Sequence, residues 1–147
     1  MAIWEWVLAV YDRPGVPDAT LALQDNHGQN TSFLLWAVYA RATDRGLLDK
    51  AAATARAWDQ TALIPLRQAR RALKTPLLPI DDGAREAFRQ DVKALELAAE
   101  RLLMEALAGL ADQGYGVGAL EALSAAAEAW GEAPPAPALA DLARVLG

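Results

Sequence analysis

The sequence predicts an all-α, single-domain helical bundle of about seven helices. Its periodic apolar segments repeat at the three- and four-residue spacing of a helix, and none alternates as a strand would. Alanine supplies 34 of the 147 residues, and alanine has the highest helix propensity and packs closely. A chain of this length forms one hydrophobic core by default.

Two helices are predicted before residue 30. Apolar residues share one face over residues 3–11, and Pro14 and Gly15 end this first helix. Pro17 suits the first turn of a short second helix, because proline there lacks only an amide that would have no partner anyway. Gly28 ends the second helix, since glycine readily adopts the left-handed conformation after a helix.

A third helix is predicted from Phe33 to about Thr43. Either Asn30 or Thr31 precedes it as the N-cap, the position where a side-chain oxygen accepts from a free backbone amide. Its residues are apolar on all sides, which is typical of a helix surrounded by other helices. We therefore expect this helix at the centre of the core.

Two further helices are predicted before a proline-containing loop. The fourth follows Gly46 and ends near Trp58, and the fifth begins at Pro65 and ends near Lys74. Residues 77–82 then form a connecting loop, because prolines interrupt the helical pattern there.

The longest helix is predicted over residues 82–111. A seam with unbroken four- and three-residue spacing runs along it, formed by Phe88, Val92, Leu95, Ala99, Leu102, Ala106 and Gly109. Such a seam packs along a partner helix, either in a coiled coil or within the same domain. Its alanines and glycine favour close packing within the domain.

The C-terminal part contains two short helices. Glycines at 114, 116 and 118 form a turn before an alanine-rich helix that ends near Trp130. Pro134, Pro135 and Pro137 then form a stiff connector to a last helix. The sequence thus predicts a core domain over residues 1–133 and a proline-led helical tail over residues 134–147.

Composition restricts the chemistry. The chain has no cysteine and one histidine, His27, so thiol chemistry is impossible and a nucleophilic triad has little support. We expect no catalytic residue, no metal and no cofactor. The net charge of −5 argues against nucleic acid as a partner. No apolar run reaches membrane-spanning length and no signal peptide is evident, so we expect a cytoplasmic protein without membrane association.

Four cations on the predicted fifth helix form what we call the basic arc. Arg67, Arg70, Arg71 and Lys74 are spaced so that they project within about 60° of one another. Like charges this close repel each other unless something negative faces them. The partner is either an acid of the fold, such as Glu86, Asp91 or Asp25, or an external phosphate or acidic protein.

A second polar feature lies between the second and third helices. Residues 24–30 contain no apolar side chain, and Gly28 and Asn30 serve the helix ends. Gln24 and Asp25 lie within the second helix and can point toward its neighbours. On the long helix, Glu96 and Glu100 stand one turn apart; a solvated face is the preferred interpretation, and a cation site is the alternative.

Several of these motifs occur in the order found in one family. Trp4 with Tyr11 comes first, and Pro14-Gly15-Val16 and Leu23-Gln24-Asp25-x-x-Gly28 follow. Leu34-Leu35 and Trp58 come next, and Pro65-Leu66-Arg67-x-x-Arg70-Arg71-x-Leu73-Lys74 is last. This order resembles a family of small bacterial proteins of unknown function. The resemblance covers roughly the first two-thirds of the chain, ends near Ala111 and implies no activity.

Three functional hypotheses follow. The first is a non-catalytic helical protein that binds a protein partner or another copy of itself, through the basic arc or the apolar tail helices. The second is a small-molecule or phosphate-binding domain, with a pocket between helices 2, 3 and 5 where Gln24 and Asp25 meet the arginines of the basic arc. An enzyme is the third.

Overall fold

The computed structural model describes all residues from 1 to 147, and it contains helices but no strands. The helices are α1 (Ile3–Tyr11), α2 (Val16–His27), α3 (Thr31–Ala40), α4 (Arg45–Trp58), α5 (Ile64–Ala72), α6 (Asp82–Leu110), α7 (Ala119–Trp130) and α8 (Ala136–Leu146). A π-helical segment, Asp59–Leu63, joins α4 to α5, so these two form one rod and the chain has seven separate helical rods. The all-α prediction is confirmed. No helix is both long and apolar enough to cross a membrane.

The central position predicted for α3 is confirmed. Every residue from Ser32 to Tyr39 is buried, and α3 packs against α1, α2, α4, α6 and α7. The Asn30 side-chain oxygen accepts from the amide of Phe33 at 2.9 Å, which identifies Asn30 as the N-cap. The helix ends at Ala40, because Arg41 adopts a left-handed conformation. The core is therefore built around α3.

The predicted break between the fourth and fifth helices is absent. The chain continues from α4 into α5 through the π-helical segment, and Pro65 lies in the first turn of α5. Proline has no amide hydrogen and clashes with the preceding turn of an ordinary α-helix. The wider π-helical turn accommodates this conflict and keeps the rod continuous.

The predicted seam of α6 is wrong for its largest residues. Phe88, Leu95 and Leu102 are 58, 56 and 57% exposed, whereas Val92 and Ala99 are buried. The face of α6 that packs against α1, α3, α4 and α5 is centred beside the predicted seam and not on it. Its buried residues are Val92, Ala99, Leu103, Met104 and Leu107.

The C-terminal helices share the same core as α1 to α6. The leucines at 139, 142 and 146 on α8 are buried, and α8 packs against α2 and α7. Gly114 lies so close to α3 that an added Cβ would stand 2.1 Å from the carbonyl oxygen of Ala40. The turn between α6 and α7 thus requires glycine at this position, and the division of the chain at residue 133 stays a prediction.

Candidate functional site

The basic arc of α5 has acidic partners within the fold. Arg70 Nε lies 2.5 Å from Glu96 Oε2, and the two side chains are only 22 and 14% exposed. Arg71 Nη2 lies 3.6 Å from Asp25 Oδ1 in a more exposed pair. Two of the four cations are therefore neutralised by α6 and α2.

The other acids proposed for the arc do not contact it. Glu86 pairs with Arg85 and Arg89, all on α6. Lys74 is exposed and has no acidic oxygen within 4 Å. The prediction was thus correct for Asp25 but missed Glu96, the more buried partner.

Arg67 lines a small, partly open cavity between α2, α3, α6 and the π-helical segment. The polar side chains around it, which we call the polar cluster, are Gln24, Gln29, Asn30, Thr31, Ser32, Asp59, Arg67 and Glu100. The cavity measures about 20 Å³, which is room for one water molecule and not for a larger ligand. Of the residues predicted to meet between helices 2, 3 and 5, Gln24 and Arg67 line this cavity, whereas Asp25, Arg70 and Arg71 do not.

One buried atom in the polar cluster lacks a hydrogen-bond donor. Gln29 Nε2 donates to the carbonyl oxygen of Glu132 at 3.2 Å, but Gln29 Oε1 is buried without a partner. Gln24 Oε1, in contrast, accepts from the hydroxyl of Thr31 at 3.5 Å. A buried acceptor without a donor costs about 1–3 kcal/mol. The site is therefore suited to a small donor placed in the cavity.

The two carboxyl groups of the polar cluster have raised pKa values. Burial, followed by the negative charge of Glu96, raises the pKa of Glu100 to about 7, although Arg67 and Arg70 oppose the shift. Burial also raises the pKa of Asp59, and the guanidinium of Arg67 again opposes it. The cluster thus contains a carboxyl group that titrates near neutral pH.

The interpretation of Glu96 and Glu100 as a solvated face is wrong. Both side chains point into the protein, one toward Arg70 and the other into the polar cluster. A signal was present in the sequence, because each glutamate stands seven residues before a buried leucine of α6, Leu103 or Leu107. Residues seven apart share a helix face, so these acids had to face the core. Asp59 gave no comparable signal, since its position depends on the π-helical turn.

A separate apolar groove lies between α4 and α6. It has a volume of about 540 Å³ and is lined by Thr54, Ala57, Trp58, Thr61, Leu102, Leu103 and Ala106. Trp58 Nε1 donates to the carbonyl oxygen of Ala99 at 2.9 Å, which fixes the indole against α6. The groove opens beside Leu102, one of the exposed leucines of the mispredicted seam. We call it the α4–α6 groove.

Comparison with known proteins identifies a family. The model of the family described as "Protein of unknown function (DUF2390)" matches residues 2–107. The chain belongs to the DUF2390 family. No curated protein and no solved structure matches it.

The part of the chain that matches the DUF2390 family, residues 2–107, includes the whole polar cluster and the α4–α6 groove. It also includes both motifs of α2 and α5 that suggested the resemblance. The structure joins these motifs through the ion pair between Asp25 and Arg71. No group of three or more histidine, cysteine, aspartate or glutamate side chains is arranged to hold a metal ion.

Proposed function

We propose that this DUF2390 protein is a non-catalytic helical protein that binds an amphipathic helix of a protein partner through α6. One observation carries the proposal: Phe88, Leu95 and Leu102 form an exposed apolar line on α6 at seven-residue spacing. We call this line the α6 stripe. Large apolar side chains that line up on the exposed face of one helix are typical of interaction sites.

The spacing of the α6 stripe favours a helix as the bound element. Residues seven apart recur after almost two turns, which is the repeat along which two helices pack side by side. Ala98 is also exposed beside the stripe, and a small side chain there lets another helix approach closely. The α4–α6 groove, next to Leu102, has the size of a pocket that accepts a large side chain.

The basic arc supports this function less well than α6 does. Arg70 and Arg71 have acidic partners in the fold, and Arg67 lies among the carboxyl groups of the polar cluster. An acidic partner would have to replace these internal partners before it could bind the arc. The apolar surface of α6 requires no such exchange.

A capture experiment tests the proposed function. Tagged wild-type protein, the groove variant Leu102→Asp and the control variant Leu21→Asp are each incubated with extract of the native host, and bound proteins are quantified. Leu21 is 54% exposed and lies on α2, away from α6. We expect a partner that binds the wild type and the control but not Leu102→Asp, and that binds the wild type directly once purified. Identical capture by all three proteins would refute the proposal.

The second candidate function is binding of a small polar molecule at the polar cluster, and Gln29 Oε1 supports it. The carboxyl groups of Asp59 and Glu100 favour a hydrogen-bond donor over phosphate at this site. Thermal melts of wild type and Gln29→Met in sodium chloride, ammonium chloride and sodium phosphate at equal ionic strength test it. Stabilisation of the wild type alone by ammonium supports a small donor, stabilisation by phosphate supports an anion site, and equal melts in all salts refute both.

A further inference from the structure

The exposed surface of α6 is complementary to itself. We measure positions along α6 from Glu96, which lies near the middle of the helix. Phe88, the largest exposed side chain of the α6 stripe, stands eight residues before Glu96. The α6 wall of the α4–α6 groove, formed by Leu102, Leu103 and Ala106, is centred eight residues after it. At 1.5 Å per residue, the projection and the groove lie about 12 Å from Glu96 in opposite directions.

Projection and groove also lie on the same flank of the helix. At 100° per residue, Phe88 and Ala106 are five full turns apart and point in the same direction. A twofold axis at the level of Glu96 would run two copies of α6 antiparallel and bring the same flanks together. Phe88 of each copy would then stand at the groove of the other, so that one contact is made twice.

Two charged residues of α6 lie at matching distances from Glu96 along the helix. Asp91 lies five residues before Glu96, and Arg101 lies five residues after it. The Arg101 side chain is 55% exposed, and it is held in place by Glu105 and by the ring of Trp4. The same axis that places Phe88 at the groove places Asp91 of one copy at the level of Arg101 of the other, and the two side chains differ in direction around α6 by about 80°. Opposite charges at such positions select the register and orientation of a helix pair.

We propose that α6 pairs antiparallel with α6 of a second copy of this chain, about a twofold axis near Glu96. The inference rests on the proposed function and names the partner. A parallel pair would place Phe88 against Phe88 and Asp91 against Asp91, and it would leave both grooves empty. The antiparallel arrangement fills both grooves and brings unlike charges to the same level along the pair, so shape and charge favour the same pairing.

The mass of the protein in solution tests the pairing. Sedimentation equilibrium should give a dimer for the wild type and for the control Leu21→Asp, and a monomer for Phe88→Asp and Leu95→Asp. Both α6 substitutions replace exposed side chains, and circular dichroism melts check that the variants stay folded. A monomeric wild type, or a dimer that survives both α6 substitutions, would overturn the inference. The capture experiment is independent, because a monomer that still captures another protein through Leu102 fails only this inference.

Disulfide cross-linking tests the orientation, and the chain suits it because it contains no cysteine. Ala94 and Ala98 are both exposed and stand two residues before and after Glu96. In the antiparallel pair, Ala94 of one copy therefore faces Ala98 of the other. Oxidation of an equimolar mixture of Ala94→Cys and differently tagged Ala98→Cys should give mainly the mixed dimer. Cross-links mainly between identical variants would indicate a parallel pair and overturn the inference.

Discussion

Replacement of Arg70 by alanine should destabilise the protein far more than the same replacement of Arg71. The two arginines are adjacent on α5, and each has one carboxylate partner. The Arg70–Glu96 pair is 22 and 14% exposed, whereas the Arg71–Asp25 pair is 58 and 40% exposed. The comparison therefore isolates the effect of burial on an ion pair.

The magnitudes follow from what each substitution leaves behind. Removal of one partner of a fully buried ion pair costs about 3–5 kcal/mol, because the remaining charge is stranded. Glu96 keeps some contact with solvent, so we expect a loss of about 2–3 kcal/mol for Arg70→Ala. Exposed pairs contribute at most about 1 kcal/mol, and Arg71→Ala should lose less than that. For a chain of this size, the melting temperature should fall by about 5–10 °C for Arg70→Ala and by about 3 °C at most for Arg71→Ala.

Denaturant unfolding of both variants measures these losses. The double variant Arg70→Ala/Glu96→Gln separates the stranded charge from the lost packing of the arginine stem, since glutamine removes the charge and keeps the shape of Glu96. We expect it to recover about half or more of the loss caused by Arg70→Ala. Equal losses for the two single variants would refute the argument from burial, and no recovery in the double variant would refute the role of the stranded charge.

Three further outcomes are expected. The unfolding free energy of the wild type should fall by up to about 3 kcal/mol as the pH rises from 4.5, the ordinary pKa of Glu100, to about 7, its pKa in the folded state. Glu100→Gln should remove most of this fall. Stability falls with rising pH because only the folded state holds the Glu100 proton in that range. Urea unfolding that depends on pH in the same way for the wild type and Glu100→Gln would contradict this prediction. Leu95→Asp should keep the wild-type melting temperature within a few degrees, because Leu95 is exposed. A variant that unfolds would show instead that the predicted seam is buried. Truncation after Ala133 should abolish cooperative unfolding, because it removes three leucines from the core; a shortened chain with a wild-type melt would make residues 134–147 a separable tail.

The elements of the fold were predictable because their signals are local. Pro17 and Gly28 lie at opposite ends of α2, and Asn30 caps α3 as its side chain suggests. The start of α6 follows Asp81, whose side chain accepts from the amide of Ala84 at 2.8 Å. Each signal acts within one turn of helix, and the sequence displays that range directly.

The failures concern which face of a helix meets which neighbour. Spacing alone placed Leu95 in a seam and Glu100 in solvent, and the structure has the reverse for both. Hydrophobicity along α6 allows two adjacent stripes that share Val92 and Ala99, and tertiary packing buries the one that continues through Leu103 and Leu107. The directions of the side chains on α5 were equally unpredictable from the sequence, because the π-helical turn rotates every side chain that follows it. These choices depend on contacts between distant segments, which no local pattern specifies.

The two departures from simple folding rules both lie on α6. Its centre and C-terminal half bury acids that a core of apolar residues would not need, and its outer face exposes phenylalanine and leucine that solvent does not favour. A helix selected only to stabilise the domain would carry leucine in place of Glu100 and a charge in place of Leu95. Residues that break such rules in a well-packed domain are the ones selected for another property. Both departures fall within the DUF2390 match, residues 2–107. The function of this protein should therefore be sought first on the two faces of α6.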